Sequence, residues 1–188
     1  DRRRPHTGGA GTFDRIVAHP PYVAATRRRM IYRDAGVDGG EVTRRIIEGL
    51  PTYLRPGGHF FATCVLTDRK GAPVEARLRA LLGPAAEQFD VVVFVRSDQR
   101  PSELLAHRAA VGGLDADELR LLSGTLERSE VERFVYCSLV LRRARAPRPV
   151  FTLRRGLPVH EPADMADWML NWEETGSRSD ADPVLWGS

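Results

Sequence analysis

Several things are scarce in this chain, and each scarcity removes a class of protein. Cysteine occurs only twice in 188 residues, as Cys64 and Cys137, so a disulfide scaffold is excluded. The five histidines show no HxxxH spacing and no neighbouring carboxylate cluster, and CxxC is absent, so no metal centre is expected. No G-x-S-x-G occurs, which leaves serine hydrolase chemistry without its nucleophile elbow. No apolar run approaches the ~20 residues that a membrane-spanning helix needs. Lysine is nearly missing too: Lys70 is the only one, and the basic side of the balance rests on arginine.

What is present suits one α/β domain. Hydrophobic residues make up 42% of the chain and charged residues 28%, with several strand-like apolar runs, so a folded rather than an intrinsically disordered chain is expected. The net charge of +3 is small for this length and does not by itself point to nucleic acid. Arginine binds phosphate and carboxylate through a planar fork. The runs Arg2–Arg4, Arg27–Arg29 and Arg142–Arg143 nonetheless read as solvated faces. The chain opens at Asp1 with neither Met nor a charged-then-apolar leader, so a cytoplasmic protein is expected, with something upstream removed.

Residues 1–12 are polar and Gly-rich and read as a loop. Phe13 to Ala18 is a short strand stopped by Pro20 and Pro21, and 24–37 is irregular or weakly helical. Val42, Ile46, Ile47, Leu50 and Leu54 recur at helical spacing, with Pro51 expected to kink or shorten that helix. Arg55-Pro56-Gly57-Gly58 reads as a helix stop and turn. Strands are then expected at His59–Leu66, Phe89–Val95 and Arg133–Leu141, with a short helix over Pro73–Leu82. Residues 101–110 and 115–128 read as helices divided by Gly112-Gly113, a longer insertion than a hairpin needs and placed where it can cover a substrate. Beyond Arg145 the character changes. Pro147 and Pro149 mark a linker, Val150 to Arg154 suits a short strand, and Pro162 opens an amphipathic helix. Met165, Trp168, Met169 and Trp172 share one face of that helix, and a mobile polar tail follows from Gly176.

One feature points to chemistry. A strand runs directly into His19-Pro20-Pro21-Tyr22. Two prolines make a stiff loop whose backbone carbonyls lack local partners. The Pro20 carbonyl and the residue 19 side chain suit the two N–H protons of a planar amide or exocyclic amine, while Tyr22 stacks on the flat group. Accepting those protons draws the nitrogen lone pair out of conjugation, so that it can attack an electrophilic carbon. A sulfonium near the ring gains cation–π stabilisation.

On these residues the sequence resembles the class I S-adenosylmethionine-dependent methyltransferases, and in particular the branch with an Asn-Pro-Pro-Tyr-type motif. That branch includes release-factor glutamine methyltransferases and nucleobase amino-methyltransferases. FDRIVAHPPYV looks like its fourth strand and catalytic loop. AGVDGGEVTRRIIEGLPTYLRPGGHFFATCVL resembles the next helix, the Pro-Gly-Gly turn and the fifth strand. FDVVVFV and RFVYCSLVLRR look like the sixth and seventh strands.

The resemblance implies a Rossmann-like sheet lacking its N-terminal strands, with the seventh strand antiparallel and Cys64 close to Cys137. It divides the chain into a loop remnant (1–12), the C-terminal half of a methyltransferase domain (13–145) and a C-terminal extension (146–188). It implies His19, Pro20, Pro21 and Tyr22 as catalytic residues, S-adenosyl-L-methionine as cofactor, and a protein, nucleic-acid or small-molecule methyl acceptor. His19 stands where the family usually has Asn, Asp or Ser; a neutral imidazole still accepts one hydrogen bond, so activity is expected to fall as it protonates. For the cofactor itself, His19 and Asp1 are the only candidate contacts, since Gly8-Gly9-Ala10-Gly11 precedes a strand whereas the family's glycine loop follows one. The missing half, or a neighbouring copy, is expected to pair with the edge of the Phe13–Ala18 strand. The alternative is a degenerate methyltransferase fold acting as a binding or scaffold module, and a nucleic-acid-binding domain using the arginine runs is a third reading. Asp38, Glu41 and Arg44, at the start of the helix after the loop, either order that loop or a substrate, or the carboxylates simply complement the helix dipole.

Overall fold

The computed structural model describes residues 13–27, 30–112 and 114–156. Asp1, Arg2–Arg4, the glycine-rich segment 8–11, the Met165/Trp168/Met169/Trp172 stripe and the tail from Gly176 lie outside the described residues. The elements run β1 (Phe13–Ala18), α1 (Glu41–Tyr53), β2 (Leu54–Arg69), α2 (Val74–Leu82), a 3-10 turn (Gly83–Gln88) and β3 (Phe89–Gln99). Then follow α3 (Pro101–Ala110), α4 (Ala116–Arg128), β4 (Val131–Arg143) and β5 (Thr152–Gly156). The strands form one mixed sheet in the order β1-β2-β4-β3-β5. Pairing is parallel between β1 and β2 and between β3 and β5, while β4 is antiparallel to both its neighbours. This α/β arrangement is compatible with a Rossmann-like fold. No helix of the described residues is long and apolar enough to cross a membrane.

Alternation along the strands builds two apolar layers. Phe60, Ala62, Cys64 and Leu66 of β2 face α1 and α2, together with Val91 and Val93 of β3 and Val135, Cys137, Leu139 and Leu141 of β4. On the other face Val131 and Phe134 pack with Leu122 and Leu126 of α4, beside partly buried Leu104 and Leu105 of α3. Val92, Phe94 and Val140 form a third buried group with Phe61, Phe151 and Leu153 against it. Because β3 is buried on both faces from Phe89 to Phe94, its sequence is a continuous apolar and β-branched run, interrupted only by Asp90.

Three expectations change at the amino end of the parallel strands. Helix α1 is not shortened by Pro51 but runs two residues past it, because a proline in the last turn forfeits little of the ladder. Arg55-Pro56-Gly57-Gly58 is not a free turn: it lies within β2, where the pairing jumps from Phe13↔Leu54 to Arg15↔His59 and the extra residues loop out as a bulge. Arg142 and Arg143 are not a solvated face. Arg143 donates to the carbonyls of Pro51 (2.8 Å) and Leu54 (2.7 Å), supplying the cation that the end of α1 lacks in its own last turn. Arg142 is buried and donates through Nε to Oδ2 of Asp90 (2.9 Å).

Asp90 explains why a fifth strand joins the sheet. Its fully buried carboxylate also accepts from Arg148 and from the Phe151 amide (3.3 Å), which pins the linker at the start of β3. Arg79 of α2 adds a clamp, donating to the carbonyls of Phe89 (2.7 Å) and Phe151 (2.6 Å). At the opposite edge, β1 pairs only with β2 among the described residues, and Phe13 and Val17 are exposed. Asp90→Ala leaves buried arginine donors uncompensated and is expected to cost about 3–5 kcal/mol in urea unfolding. A loss below about 1 kcal/mol would mean that water replaces the carboxylate.

Candidate functional site

The carboxyl end of β1 delivers His19, Pro20, Pro21 and Tyr22 as one short loop, so the four residues picked from the sequence are contiguous in space as well as in order. Pro20 is buried, Pro21 and Tyr22 are partly buried, and His19 is exposed. The His19 and Tyr22 rings meet edge to face, with centroids 5.4 Å apart and planes at 75°. Tyr22 in turn lies 6.0 Å from the ring of Tyr136, which β4 brings alongside. The result is a row of three aromatic rings, of which Tyr136 was not foreseen. Its signal is faint: a tyrosine at an alternating position of β4, on the sheet face opposite Cys137. Among the described residues, no backbone amide donates to the Pro20 carbonyl.

The chain beyond Tyr22 is laced back on itself, and this lacing holds the loop. Val23 donates to the Arg33 carbonyl (2.9 Å) and accepts from the Ala35 amide (3.0 Å), while Ala25 donates to Gly36 (2.9 Å). The described part of 24–37 is therefore an irregular excursion closed at its neck rather than a helix. Ile31 and Tyr32 at its tip are exposed. Gly39 closes the arrangement from the other side. Its φ is +72°, and a Cβ there would stand 2.3 Å from the Tyr22 carbonyl oxygen. Only glycine both adopts that backbone and lets the chain pass so close. The Asp-Gly-Gly stretch is thus a physical support of the loop.

Asp38 anchors that support. It is buried, and its Oδ1 accepts from the Gly40 amide (3.1 Å) and from Arg44 Nη1 (2.9 Å). Its Oδ2 accepts from the same Arg44 nitrogen (2.9 Å) and from Arg69 Nη2 (2.8 Å), with Arg77 Nη2 further off at 3.8 Å. Burial pushes the carboxyl upward, but the hydrogen bond and charge of Arg44, the Gly40 amide and Arg69 outweigh it and hold it below its ordinary 3.8. Of the three helix-start residues, Asp38 and Arg44 are therefore paired to each other and to the loop's support, and Glu41 sits in the first turn of α1, where its charge suits the dipole. Arg69 and Arg77 follow Asp38 at a distance along the chain, reach it only through the fold and carry no local sequence signal.

The insertion lies close by. Leu122 and Leu126 of α4 pack with Ala24, next to the loop, and partly buried Val37 joins them. The helices thereby cover the segment just after Tyr22. Among the described residues, no three His, Cys, Asp or Glu side chains cluster to hold a metal ion.

Two outcomes are expected. Gly39→Ala meets both the left-handed backbone cost and the Tyr22 carbonyl, and should lose about 3 kcal/mol in urea unfolding. Gly71, also at positive φ (+67°) but with nothing within 4 Å, is the matched control. Gly71→Ala should lose only about 1 kcal/mol, and equal losses would remove the contact from the explanation. Asp38→Asn should cost about 3 kcal/mol at neutral pH, since it removes the buried charge that Arg44 and Arg69 share and leaves these half-buried arginines to repel one another. A carboxyl whose folded pKa is lowered stabilises above its unfolded value and ceases to as pH falls through the folded one. The gap between wild type and Asp38→Asn should therefore hold down to the ordinary carboxylate range, then close in stronger acid; a gap that widened there would contradict the assignment.

No protein-family model matches the chain, and no curated protein is significantly similar to it.

Proposed function

We propose that this chain is the catalytic-loop-bearing part of an S-adenosylmethionine-dependent methyltransferase acting on a planar amide or amine nitrogen. One observation carries the reading. The His-Pro-Pro-Tyr loop and the Asp-Gly-Gly stretch, the two motifs of the resemblance, meet in space at the Gly39–Tyr22 approach. The antiparallel seventh strand implied by the resemblance also has a counterpart in β4, whose Cys137 pairs with Cys64 of β2.

The described residues fit the reacting end of such an enzyme. The row His19–Tyr22–Tyr136 offers electron-rich rings at the carboxyl end of β1, which suits a sulfonium. Asp1 lies outside the described residues, so the adenosyl contacts rest on the resemblance alone. When bound, S-adenosylmethionine supplies an electrophilic methyl group. The Pro20 carbonyl and the His19 imidazole accept the N–H protons of the acceptor, and Tyr22 stacks on its flat face, aiming the nitrogen lone pair along the line of attack. Gly39 and Asp38 hold that loop in register. Orientation and exclusion of water drive the reaction, and the His19 imidazole is the side chain of the loop that can take up the proton the nitrogen loses. In this reading the open edge of β1 pairs with the missing half of the fold or with a neighbouring copy.

The test is calorimetric titration of S-adenosylmethionine into this chain and into any longer polypeptide that contains it, followed by methyl transfer to a glutamine peptide and to nucleobase amines. Binding and transfer are expected of a longer polypeptide that carries the cofactor-binding half and not of this chain alone, with Tyr22→Ala in that polypeptide lowering kcat about 100-fold while the fold persists. If nothing containing this chain binds the cofactor, the methyltransferase reading fails and the scaffold reading takes its place.

A further inference from the structure

We propose that Arg69 and Arg77, with Arg44 beside them, form a binding site for a phosphate group at the carboxyl end of β2. Asp38 cannot satisfy all three of them. A carboxylate offers about four acceptor positions. Here Gly40, Arg69 and the two bonds of Arg44 Nη1 fill them. Arg77 comes third to an oxygen already taken, and its Nη2 stands at 3.8 Å, beyond hydrogen-bond range. The Nη1 of Arg77 is spent on the Thr67 carbonyl and hydroxyl (2.7 Å to Oγ1), which fixes the guanidinium without using its other face. Arg69 shows the same surplus independently: its Nε is buried and has no hydrogen-bond partner.

Charge points the same way. Among the described residues, Asp68 and Glu75 are the other carboxylates paired beside this cluster, and both face Arg154, with Asp68 held at 3.0 and 2.9 Å. Four arginines against three carboxylates leave one uncompensated positive charge, carried on the Arg44, Arg69 and Arg77 side. Those three side chains keep between 22% and 33% of their surface exposed, so a ligand can reach them from solvent. Beside Arg44 and Arg77 a cavity of about 20 Å³, lined also by Asp38, Gly40 and Thr67 and floored by apolar side chains of β2 and α2, has room for a single oxygen atom. Forked donors arriving from α1, β2 and α2 suit a tetrahedral oxyanion, whose several oxygens they can share, better than a flat carboxylate. The position is where parallel strands present ligands, next to the support of the His19–Tyr22 loop.

The site does not require methyl transfer, so it is tested separately from that reading. Inorganic phosphate is titrated into the full chain at constant ionic strength, with chloride and acetate as comparisons, and followed by calorimetry and thermal midpoint. Phosphate is expected to bind saturably and raise the midpoint above chloride, with acetate weaker. Arg77→Gln and Arg69→Gln, checked for fold by circular dichroism, should each weaken phosphate binding about tenfold or more. Wild-type protein that responds to phosphate no more than to chloride overturns the proposal even if neither variant folds. Acetate equal to phosphate, or folded variants that bind as wild type does, overturns it as well.

Discussion

Strand β4 enters the sheet against the grain, between β2 and β3, and the architecture depends on that insertion. Its ladder with β2 runs without interruption from His59↔Arg142 to Thr67↔Phe134, and its other side pairs with β3 from Phe89↔Arg143 onward. One strand thereby supplies the centre of the main apolar layer, the buried arginine that meets Asp90, and the arginine that ends α1. The same strand carries Tyr136 toward the loop after β1. An antiparallel strand has its amino end where its neighbours have their carboxyl ends. Its chemistry is therefore distributed to both rims of the sheet at once.

The two rims differ in how they handle charge. At the amino end Asp90 is buried with arginines around it and serves to pin the linker and β5. At the carboxyl end Asp38 is buried too, yet arginines outnumber what its oxygens can accept. Burying a carboxylate is costly unless its hydrogen-bonding capacity is met, and here both are met in full. Beside the linker, Arg79 and Arg148 also donate to backbone carbonyls, whereas beside the loop the buried Nε of Arg69 is without a hydrogen-bond partner.

Much of this was legible from the sequence, for physical reasons that also mark where legibility stops. The strand Phe13–Ala18 matches its expected bounds because two prolines end it. Helices α3 and α4 fall within a residue of expectation because glycines divide them and Asp115 opens the second with a capping box. The strands were located but placed short: β2 reaches Arg69 and β3 reaches Gln99, since their last residues are polar and give no apolar signal, yet ladder bonds to β4 continue through them. The loop residues 19–22 were found because they are consecutive. Tyr136, Arg69 and Arg77 were not, since each reaches the site from another element. Arg142 and Arg143 show the converse failure. A pair of adjacent arginines looks solvated until the buried carboxylate of Asp90, far earlier in the chain, is placed beside one of them.

Cys64 and Cys137 face each other across β2 and β4 with sulfurs 4.0 Å apart, both fully buried. Their mutual hydrogen bond and burial push the Cys137 thiol well above its usual range, so it stays protonated and unreactive while the sheet is closed. An alkylating reagent can reach these sulfurs only when the central ladder parts. The pair is thus a built-in clock: the rate at which label accumulates reads out how often the middle of the molecule opens, and it is silent to motion at the loops and edges.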